Sequence, residues 1–327
     1  MDNIPLVRIR DVKRGYSETY YSGDYDEEYI VREGDLLIGM DGEFNIARWR
    51  SRDSLLNQRV CRIQAQKGTD EEYLRYVLVK KLKQIEERTA FVTVKHLSAK
   101  ELNAMALEIP AYEAQKTLSS QLSKIEGLIE LRQKQLEQLD TLIKARFVEM
   151  FGVPGLDAKY ETIRLKECCI VNPKKNNDLR LQDGLEVSFV PMPAVSEHGD
   201  IDTSEIRLFE DVKTGFTYFA EGDVLFAKIT PCMENGKGAV ARNLKNGIGF
   251  GSTEFHVLRP DYEMANSVWL YTLTTFKQFR VDAESKMTGS AGQRRVSASF
   301  LKNYKVSLPP IELQNQFADF VTQVDKF

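Results

Sequence analysis

The sequence predicts a mixed α/β protein (α+β) made of two similar globular domains in tandem, separated by long helices that pair as an antiparallel coiled coil. Two sequence blocks occur twice, in the same order. Residues 32–38 (REGDLLI) return as residues 220–226 (AEGDVLF), and residues 108–115 (EIPAYEAQ) return as residues 307–314 (SLPPIELQ). The preserved order indicates that one unit has been duplicated.

The offset between matching residues grows along the chain. Val7 matches Val190 at an offset of 183 residues, the Gly-Asp block matches at 188, Val60 matches Phe255 at 195, and the Pro-x-x-Glu-x-Gln block matches at 199. Each increase marks an insertion in the second copy. Because solenoid repeats have about 20 to 50 residues, a repeat of about 190 residues is a whole domain with its own core.

The composition is typical of a soluble globular protein. The chain has 327 residues, of which 42% are hydrophobic and 28% are charged, and this length predicts about two domains. The N-terminus lacks a signal-peptide pattern and no segment approaches the roughly 18 apolar residues of a membrane span, so we expect a cytoplasmic protein without a membrane partner. The four cysteines show neither a disulfide framework nor zinc-ligand spacing, and no metal site is predicted.

Local charge contrasts with the overall charge. The net charge of −3 argues against indiscriminate nucleic-acid binding, because neutralising phosphates requires clustered lysines and arginines. A charge run is usually only a solvated face, but two basic stretches fall inside corresponding repeat units, which makes a functional role an alternative for them. They contain Arg48, Arg50, Arg52, Arg59 and Arg62 in the first copy, and Lys286, Arg294, Arg295, Lys302 and Lys305 in the second.

The first domain is predicted over residues 1–110. Residues 6–9, 35–39 and 59–63 have the composition of short strands, and residues 73–79 have helical spacing. The second domain, over residues 153–309, repeats this pattern with strands at 188–190, 222–227 and 254–258.

A long helix is predicted over residues 111–152. Its apolar residues step by four and three, which keeps one narrow stripe facing a partner helix, as in a coiled coil. The helix would be roughly 55 to 60 Å long, and it ends where glycine is followed by proline at 152–154. A second helix begins at residues 310–327 and is the expected antiparallel partner. The predicted seam residues are Leu118, Leu122, Ile125, Ile129, Leu136, Leu139 and Ile143 on the first helix, and Phe317, Val321 and Val324 on the second.

The order of these blocks resembles that of the specificity subunits of Type I restriction-modification enzymes. The resemblance covers almost the whole chain. It is carried by the two Gly-Asp strands, by the segments VKHLS at 94–98 and RRVS at 294–297, and by the Pro-x-x-Glu-x-Gln junction before each helix. Compared with that family, the first domain has few residues before its opening strand and the second helix stops early, so we expect a specificity subunit truncated at both ends.

The resemblance implies a function and a set of partners. Each globular unit would be a target recognition domain that reads one half of a split DNA sequence, and the paired helices would fix the spacer. The implied partners are double-stranded DNA, two modification subunits that methylate adenine, and restriction subunits that translocate and cut DNA. S-adenosylmethionine, ATP and Mg are expected on those partner subunits, and neither a cofactor nor a catalytic residue is expected on this chain.

Polar loops after the repeated strands are the expected DNA contacts. Residues 228–237 combine cations with hydroxyl and amide groups, and residues 289–295 are glycine-rich and then doubly basic. Glutamine can bond adenine and arginine can bond guanine bidentately, each pair giving roughly 1 to 3 kcal/mol of discrimination. The alternative is a solvated loop that only caps its strand. The predicted DNA-binding residues are Arg48, Arg50, Asn57, Arg59, Lys95, His96, Lys228, Thr230, Asn235, Lys237, Gln293, Arg294 and Arg295.

Catalytic interpretations find little support. Residues 308–311 (LPPI) have the prolines of an amino-methyltransferase motif but lack its polar and aromatic partners, so they predict a turn that begins a helix. The acid-x-Lys tripeptides lack the upstream acid of a nuclease metal site. His256 alternates with apolar residues and is predicted to be structural. The competing hypothesis is a non-catalytic adaptor with two protein-binding modules on a coiled-coil rod.

Overall fold

A computed structural model of the chain describes residues 3–88, 96–175, 181–290 and 292–324. The chain divides into two compact units, Met1–Gln133 and Lys134–Phe327. Within the described ranges no helix is long and apolar enough to cross a membrane. The cysteines are free thiols, with Cys168 and Cys169 buried and the other two partly buried, as the sequence predicts.

Unit 1 is a globular α/β domain followed by the first part of a long helix. Its strands are β1 (Ile4–Val7), β2 (Tyr20–Tyr21), β3 (Ile30–Val31), β4 (Leu36–Gly39), β5 (Ile46–Arg48), β6 (Ser54–Leu56) and β7 (Val60–Ile63). Its helices are α1 (Ile9–Arg14), α2 (Glu71–Arg88), α3 (Ala99–Asn103) and the beginning of α4 (Tyr112–Phe151), with a 3-10 turn at Glu27–Tyr29.

Unit 2 contains the end of α4 and a larger α/β domain. Its strands are β8 (Thr162–Arg164), β9 (Cys169–Val171), β10 (Glu186–Val190), β11 (Ile206–Leu208), β12 (Thr217–Ala220), β13 (Val224–Ala227), β14 (Gly238–Val240), β15 (Ile248–Gly251), β16 (Phe255–Pro260) and β17 (Lys305–Ser307). Its helices are α5 (Leu165–Cys168), α6 (Phe209–Val212), α7 (Ser267–Thr275), α8 (Lys277–Ser285), α9 (Ala298–Asn303) and α10 (Ile311–Val324), with 3-10 turns at Met192–Ala194 and Lys245–Gly247.

The sheets confirm the duplication. One sheet has the order β2-β1-β6-β3 in unit 1 and the matching order β11-β10-β15-β12 in unit 2. The central pair is parallel in both, with Leu6 opposite Leu55 and Phe189 opposite Phe250. A second sheet joins β5-β4-β7 in unit 1 and β14-β13-β16 in unit 2. Each paired residue of unit 1 is therefore separated from its counterpart in unit 2 by the same offset as the sequence block that contains it.

Unit 2 extends this common plan through the residues that precede its opening strand. β9 adds a further strand to the sheet by pairing with β16, and β8 pairs with β17 just before the second helix. Residues 162–164 and 169–171, which have no counterpart in the first copy, are therefore strands of the unit 2 sheets.

Buried central strands explain the unbroken apolar runs in the sequence. Every residue of β4 and β13 is buried, as expected of a strand covered on both faces. In unit 1, α2 packs into the core through Leu74, Leu78 and Leu82. In unit 2, Trp269 of α7 and Phe279 of α8 are among the largest core side chains.

Helix α4 begins and ends where the sequence predicts, but its apolar seam is uneven. Ile143 packs against the core of unit 2, and Leu139 is partly buried. The earlier seam residues are 39% to 61% exposed and lie open among the described residues. These open residues are Leu118, Leu122, Ile125, Ile129 and Leu136.

The start of the second helix packs against the end of α4, as the predicted antiparallel pairing requires. Phe317 lies with its ring centroid 5.4 Å from that of Phe147 and 5.5 Å from that of Phe151, at the C-terminal end of α4. Val321 and Val324 are also buried. Phe317 and Val321 belong to the core of unit 2 together with Phe147 and Phe151, so the first turns of α10 pair with the last turns of α4.

In unit 1, a buried glutamine fixes the start of α4. The Oε1 of Gln115 accepts a hydrogen bond from the backbone of Asp70 (2.8 Å), which precedes α2. Its Nε2 donates to the carbonyls of Gly68 (3.1 Å) and Pro110 (2.8 Å). One side chain therefore ties the long helix to the globular domain.

The equivalent glutamine does the same in unit 2. The Oε1 of Gln314 accepts from the backbone of Asn266 (2.9 Å), which caps α7, and its Nε2 donates to the carbonyls of Met264 (2.9 Å) and Pro309 (2.8 Å). The paired glutamines explain why the junction sequence occurs twice.

Replacing Gln314 with methionine is expected to destabilise unit 2. The substitution leaves three backbone groups without their partner, so the free energy of unfolding should fall by about 2 to 4 kcal/mol in urea denaturation. Gln316 is exposed on the same helix, and Gln316→Met should change the stability by less than about 0.5 kcal/mol. Equal losses in the two variants would contradict this role.

Candidate functional site

In unit 1, backbone hydrogen bonds bring three segments together at one end of the sheet. The amide of Leu97 donates to the carbonyl of Met40 (2.7 Å), and the amide of Met40 donates to the carbonyl of Arg59 (2.9 Å). The end of β4, the start of β7 and the segment before α3 therefore meet at this point.

The same backbone frame occurs in unit 2. The amide of Val296 donates to the carbonyl of Lys228 (2.9 Å), and the amide of Lys228 donates to the carbonyl of Glu254 (2.9 Å). These residues differ from their unit 1 counterparts by the offsets 188, 195 and 199 that the sequence blocks show. The two domains thus present equivalent positions on one scaffold.

A buried residue followed by a serine cap holds the third segment of each frame. Leu97 and Val296 are buried. Ser98 accepts the amide of Glu101 at the start of α3, and Ser297 accepts the amide of Phe300 at the start of α9, each at 3.1 Å. A serine at this position caps a helix by accepting such an amide, so the preceding residue is fixed.

The side chains beside this frame differ between the units and are mostly charged. We call these side chains the charged corner. It comprises Asp41, Arg59 and His96 in unit 1, and Glu254, Arg294 and Arg295 in unit 2.

In unit 1 a carboxylate lies at the centre of the charged corner. The Oδ1 of Asp41 is 2.5 Å from the Nδ1 of His96, and the guanidinium of Arg59 donates to Oδ2. The hydrogen bond from His96, followed by that from Arg59, holds the pKa of Asp41 below its usual value. The His96 side chain is 60% exposed, so its ring is open to a ligand.

A basic cavity adjoins this corner. It has a volume of about 370 Å³ and is lined by Arg8, Ile9, Arg10, Asn57 and Arg59. Three guanidinium groups beside an amide suit an anionic ligand such as a phosphate. Arg8 and Arg10 were not predicted, although the Arg-x-Arg pattern directly after β1 was available as a signal.

In unit 2 arginines form the charged corner and carboxylates hold them. Glu254 binds the guanidinium of Arg295, and this bond lowers the pKa of the Glu254 carboxyl. The Nη2 of Arg294 lies 3.1 Å from Glu234 and 3.2 Å from Glu284. The charge at one position is thus reversed, because Glu254 replaces Arg59, and at the other Arg295 replaces His96.

The sequence model of one protein family, described as the Type I restriction modification DNA specificity domain, matches residues 2–141 and 158–327. The chain belongs to this family. The two matched segments cover nearly all of the chain and correspond to the two repeats of the specificity domain.

Two curated relatives carry the same family name. The specificity subunit of the Type I restriction enzyme EcoAI from Escherichia coli is 42% identical over 166 residues, which cover 50% of this chain and 28% of that subunit. The EcoEI specificity subunit, also from Escherichia coli, is 43% identical over 152 residues, which cover 46% of this chain and 25% of that subunit. The matched region spans about a quarter of each relative.

A solved structure has the same fold. The S subunit of a Type-I restriction-modification system from M. genitalium superposes with a TM-score of 0.51 at 13% identity, covering 99% of this chain and 82% of that chain. The tandem specificity domains and helical connection are therefore an architecture found in a solved S subunit.

The structure separates some predicted DNA-binding residues from the charged corner. Arg48 donates to Glu71 (2.8 Å) and Glu72 (2.5 Å), which joins β5 to α2 and favours a structural role. Arg50 is 75% exposed and lies 3.9 Å from Glu130. Lys95 lies outside the described residues.

The buried side chain of Arg280 holds the loop after β13 through hydrogen bonds to its backbone. The buried guanidinium of Arg280 donates to the carbonyls of Met233 and Gly236, and burial lowers the pKa of Arg280 to about 10. Thr230 donates to Glu234 (3.2 Å). These bonds shape the loop that carries four of the seven predicted DNA-binding residues of unit 2.

The remaining predicted side chains of unit 2 vary in exposure. Lys228 donates to the carbonyl of Thr253 (2.6 Å). Asn235 and Gln293 are exposed and Lys237 is partly buried. In the described part of the chain no group of histidine, cysteine, aspartate and glutamate side chains is arranged to hold a metal.

The structural role predicted for His256 is confirmed. His256 is buried beneath the corner, and its Nε2 lies 2.8 Å from the carbonyl of Val296, so this nitrogen carries the proton and donates. Nδ1 lies 3.0 Å from the amide nitrogen of Asn172. Burial lowers the pKa of the His256 imidazole below its usual 6.5, which favours the neutral ring.

His256 should make unit 2 less stable in acid. Below about pH 6.5 the unfolded chain binds a proton that the folded chain resists, so stability is lost as the pH falls, by at most about 1.4 kcal/mol per pH unit for one proton. The stability advantage of wild type over His256→Gln should therefore shrink between pH 7.5 and 5.5 in urea denaturation. The exposed His198 offers a control, and a similar shrinkage in His198→Gln would contradict this assignment.

Proposed function

We propose that this chain is a sequence-specific DNA-binding specificity subunit in which each unit reads one half of a bipartite target. The observation that carries the proposal is the charged corner, where two equivalent positions on two copies of one frame hold different side chains, Arg59 or Glu254 and His96 or Arg295. A scaffold that repeats while its polar side chains change suits two different base sequences. Family membership supports the same function.

The chemistry of the two corners fits contacts with DNA. In unit 1, Arg8, Arg10 and Arg59 line a cavity that suits a backbone phosphate. In unit 2, Arg294 and Arg295 present guanidinium groups, which bond bases and phosphates alike. Phosphate contacts fix the position of a protein on the duplex, whereas contacts with base edges determine the sequence that it selects.

The chain would act by recognition, and its partners would supply the chemistry. We propose that two modification subunits and further restriction subunits bind it in the cytoplasm, and that they carry S-adenosylmethionine, ATP and Mg. The open apolar seam of α4 supports a helical docking surface, because exposed leucine and isoleucine side chains at coiled-coil spacing are stabilised when a partner helix covers them.

Mapping of adenine methylation tests the reading of DNA. Cells that carry this chain with its modification partner are expected to show a split methylation motif. Exchanging residues 160–307 for the corresponding segment of another specificity subunit should alter one half of that motif and leave the other half unchanged. An absent motif, or a change in both halves, would overturn the proposal.

Substitutions on α4 test the docking surface. Ile129→Glu places a charge in the open seam at a residue that is 54% exposed, so it should reduce copurification of the modification subunit at least about 10-fold while the chain keeps its melting temperature. Lys134→Glu changes a charge on the same helix outside the seam and should leave copurification within about twofold. Unchanged copurification of the Ile129→Glu chain would contradict docking at the seam.

A further inference from the structure

Glu254 and a backbone carbonyl hold the guanidinium of Arg295 along two of its edges. On one edge, Nε donates to Oε2 of Glu254 (2.9 Å) and Nη2 donates to Oε1 (2.8 Å). On the opposite edge, Nη1 donates to the carbonyl of Gln293 (3.0 Å). The planar group is therefore fixed in both position and rotation.

The terminal nitrogens of the guanidinium keep donors that these bonds do not use. An arginine has five N–H donors in a rigid fork, and the bonds to Glu254 and Gln293 use the donor of Nε and one donor on each terminal nitrogen. The other donor on each terminal nitrogen has no acceptor among the described residues. The Arg295 side chain is 42% exposed, so its terminal nitrogens are accessible to a ligand.

The backbone beneath this fork is also fixed. The amide of Arg295 donates to the carbonyl of Thr288 (2.8 Å), and the amide of Thr288 donates back to the carbonyl of Arg295 (3.1 Å). The next residue, Val296, belongs to the repeated frame. Arginine usually loses rotamer freedom on binding a ligand, but here folding has already restricted it.

We infer that Arg295 reads a guanine in the half-site bound by unit 2, and that Glu254 is the positioning residue that aims it. This inference rests on the proposed function. Two parallel N–H donors match the O6 and N7 acceptors of guanine in the major groove, and such a pair discriminates against other bases by roughly 5- to 150-fold.

The surrounding charge favours a base over a phosphate. Glu254 neutralises Arg295, and Glu234 and Glu284 face Arg294. A phosphate at the fork would meet these carboxylates, whereas the edge of a guanine carries no net charge. In unit 1 the position equivalent to Arg295 holds His96, which has no guanidinium fork, and the position equivalent to Glu254 holds Arg59.

Arg295→Lys separates reading of a base from binding of a phosphate, because lysine keeps the charge and loses the fork. The full chain with its modification partner is mapped for adenine methylation, and its binding to the mapped duplex is compared with binding to duplexes in which each guanine is replaced. Wild type is expected to prefer one guanine in the half assigned to unit 2. In Arg295→Lys that preference should fall by roughly 5- to 150-fold at this position alone.

Glu254→Gln tests the positioning role. Glutamine cannot accept both donors of Arg295, so the preference for the same guanine should fall by about 3- to 10-fold with the arginine still present. Arg207 provides the matched control, because its Nε and Nη2 also donate to a glutamate, Glu205. Arg207 lies on β11, in the sheet β11-β10-β15-β12, outside the charged corner. Arg207→Lys should leave every base preference unchanged.

The outcomes distinguish this inference from the proposed function. A motif with no guanine in the unit 2 half, or an unchanged preference in Arg295→Lys, overturns the guanine assignment and leaves the proposed function standing. Arg295→Ala gives a second test. Weaker binding to all duplexes alike, with a salt slope lower by about one, would mean that Arg295 contacts a phosphate. Absence of any motif in wild type overturns the proposed function itself.

Discussion

Two buried glutamine side chains, Gln115 and Gln314, connect the helices of this protein to its globular domains. Each satisfies one amide and two carbonyls that would otherwise be buried without a partner, and an unpaired buried group costs roughly 1 to 3 kcal/mol. The amide belongs to the residue that caps another helix of the same domain, Asp70 at the start of α2 or Asn266 at the start of α7. The direction in which each helix leaves its domain is therefore set by one side chain.

The fold separates the scaffold from the residues that vary. Backbone hydrogen bonds of Met40 and Lys228 build the same frame in both domains, and backbone bonds do not depend on which side chain a residue carries. The neighbouring positions can therefore exchange Arg59 for Glu254, or His96 for Arg295, without loss of the frame. A duplicated domain gains a second specificity in this way with no change of architecture.

The sequence predicted the scaffold better than the contacts. Duplication, strand positions, the bounds of α4 and the equivalence of His96 with Arg295 follow from local pattern, because periodicity and turn residues act over short distances. The partners of the charged groups do not. Glu71 and Glu72 hold Arg48 from another element, and no local pattern shows that pairing. The exposure of the α4 seam could not be predicted for the same reason, because helical spacing predicts an apolar stripe but not which residues cover it.

Under the proposed function, the carboxylates beside the arginines affect how well the chain distinguishes one DNA sequence from others. Specificity is the difference between the affinity for the target and the affinity for all other DNA, and binding to other DNA rests on attraction to phosphates. Asp41 and Glu254 reduce that attraction at each corner. They also orient the groups that remain, which strengthens contacts with a matching base. A net charge of −3 is therefore compatible with DNA recognition, because paired cations lower the affinity for the wrong sequences more than for the right one.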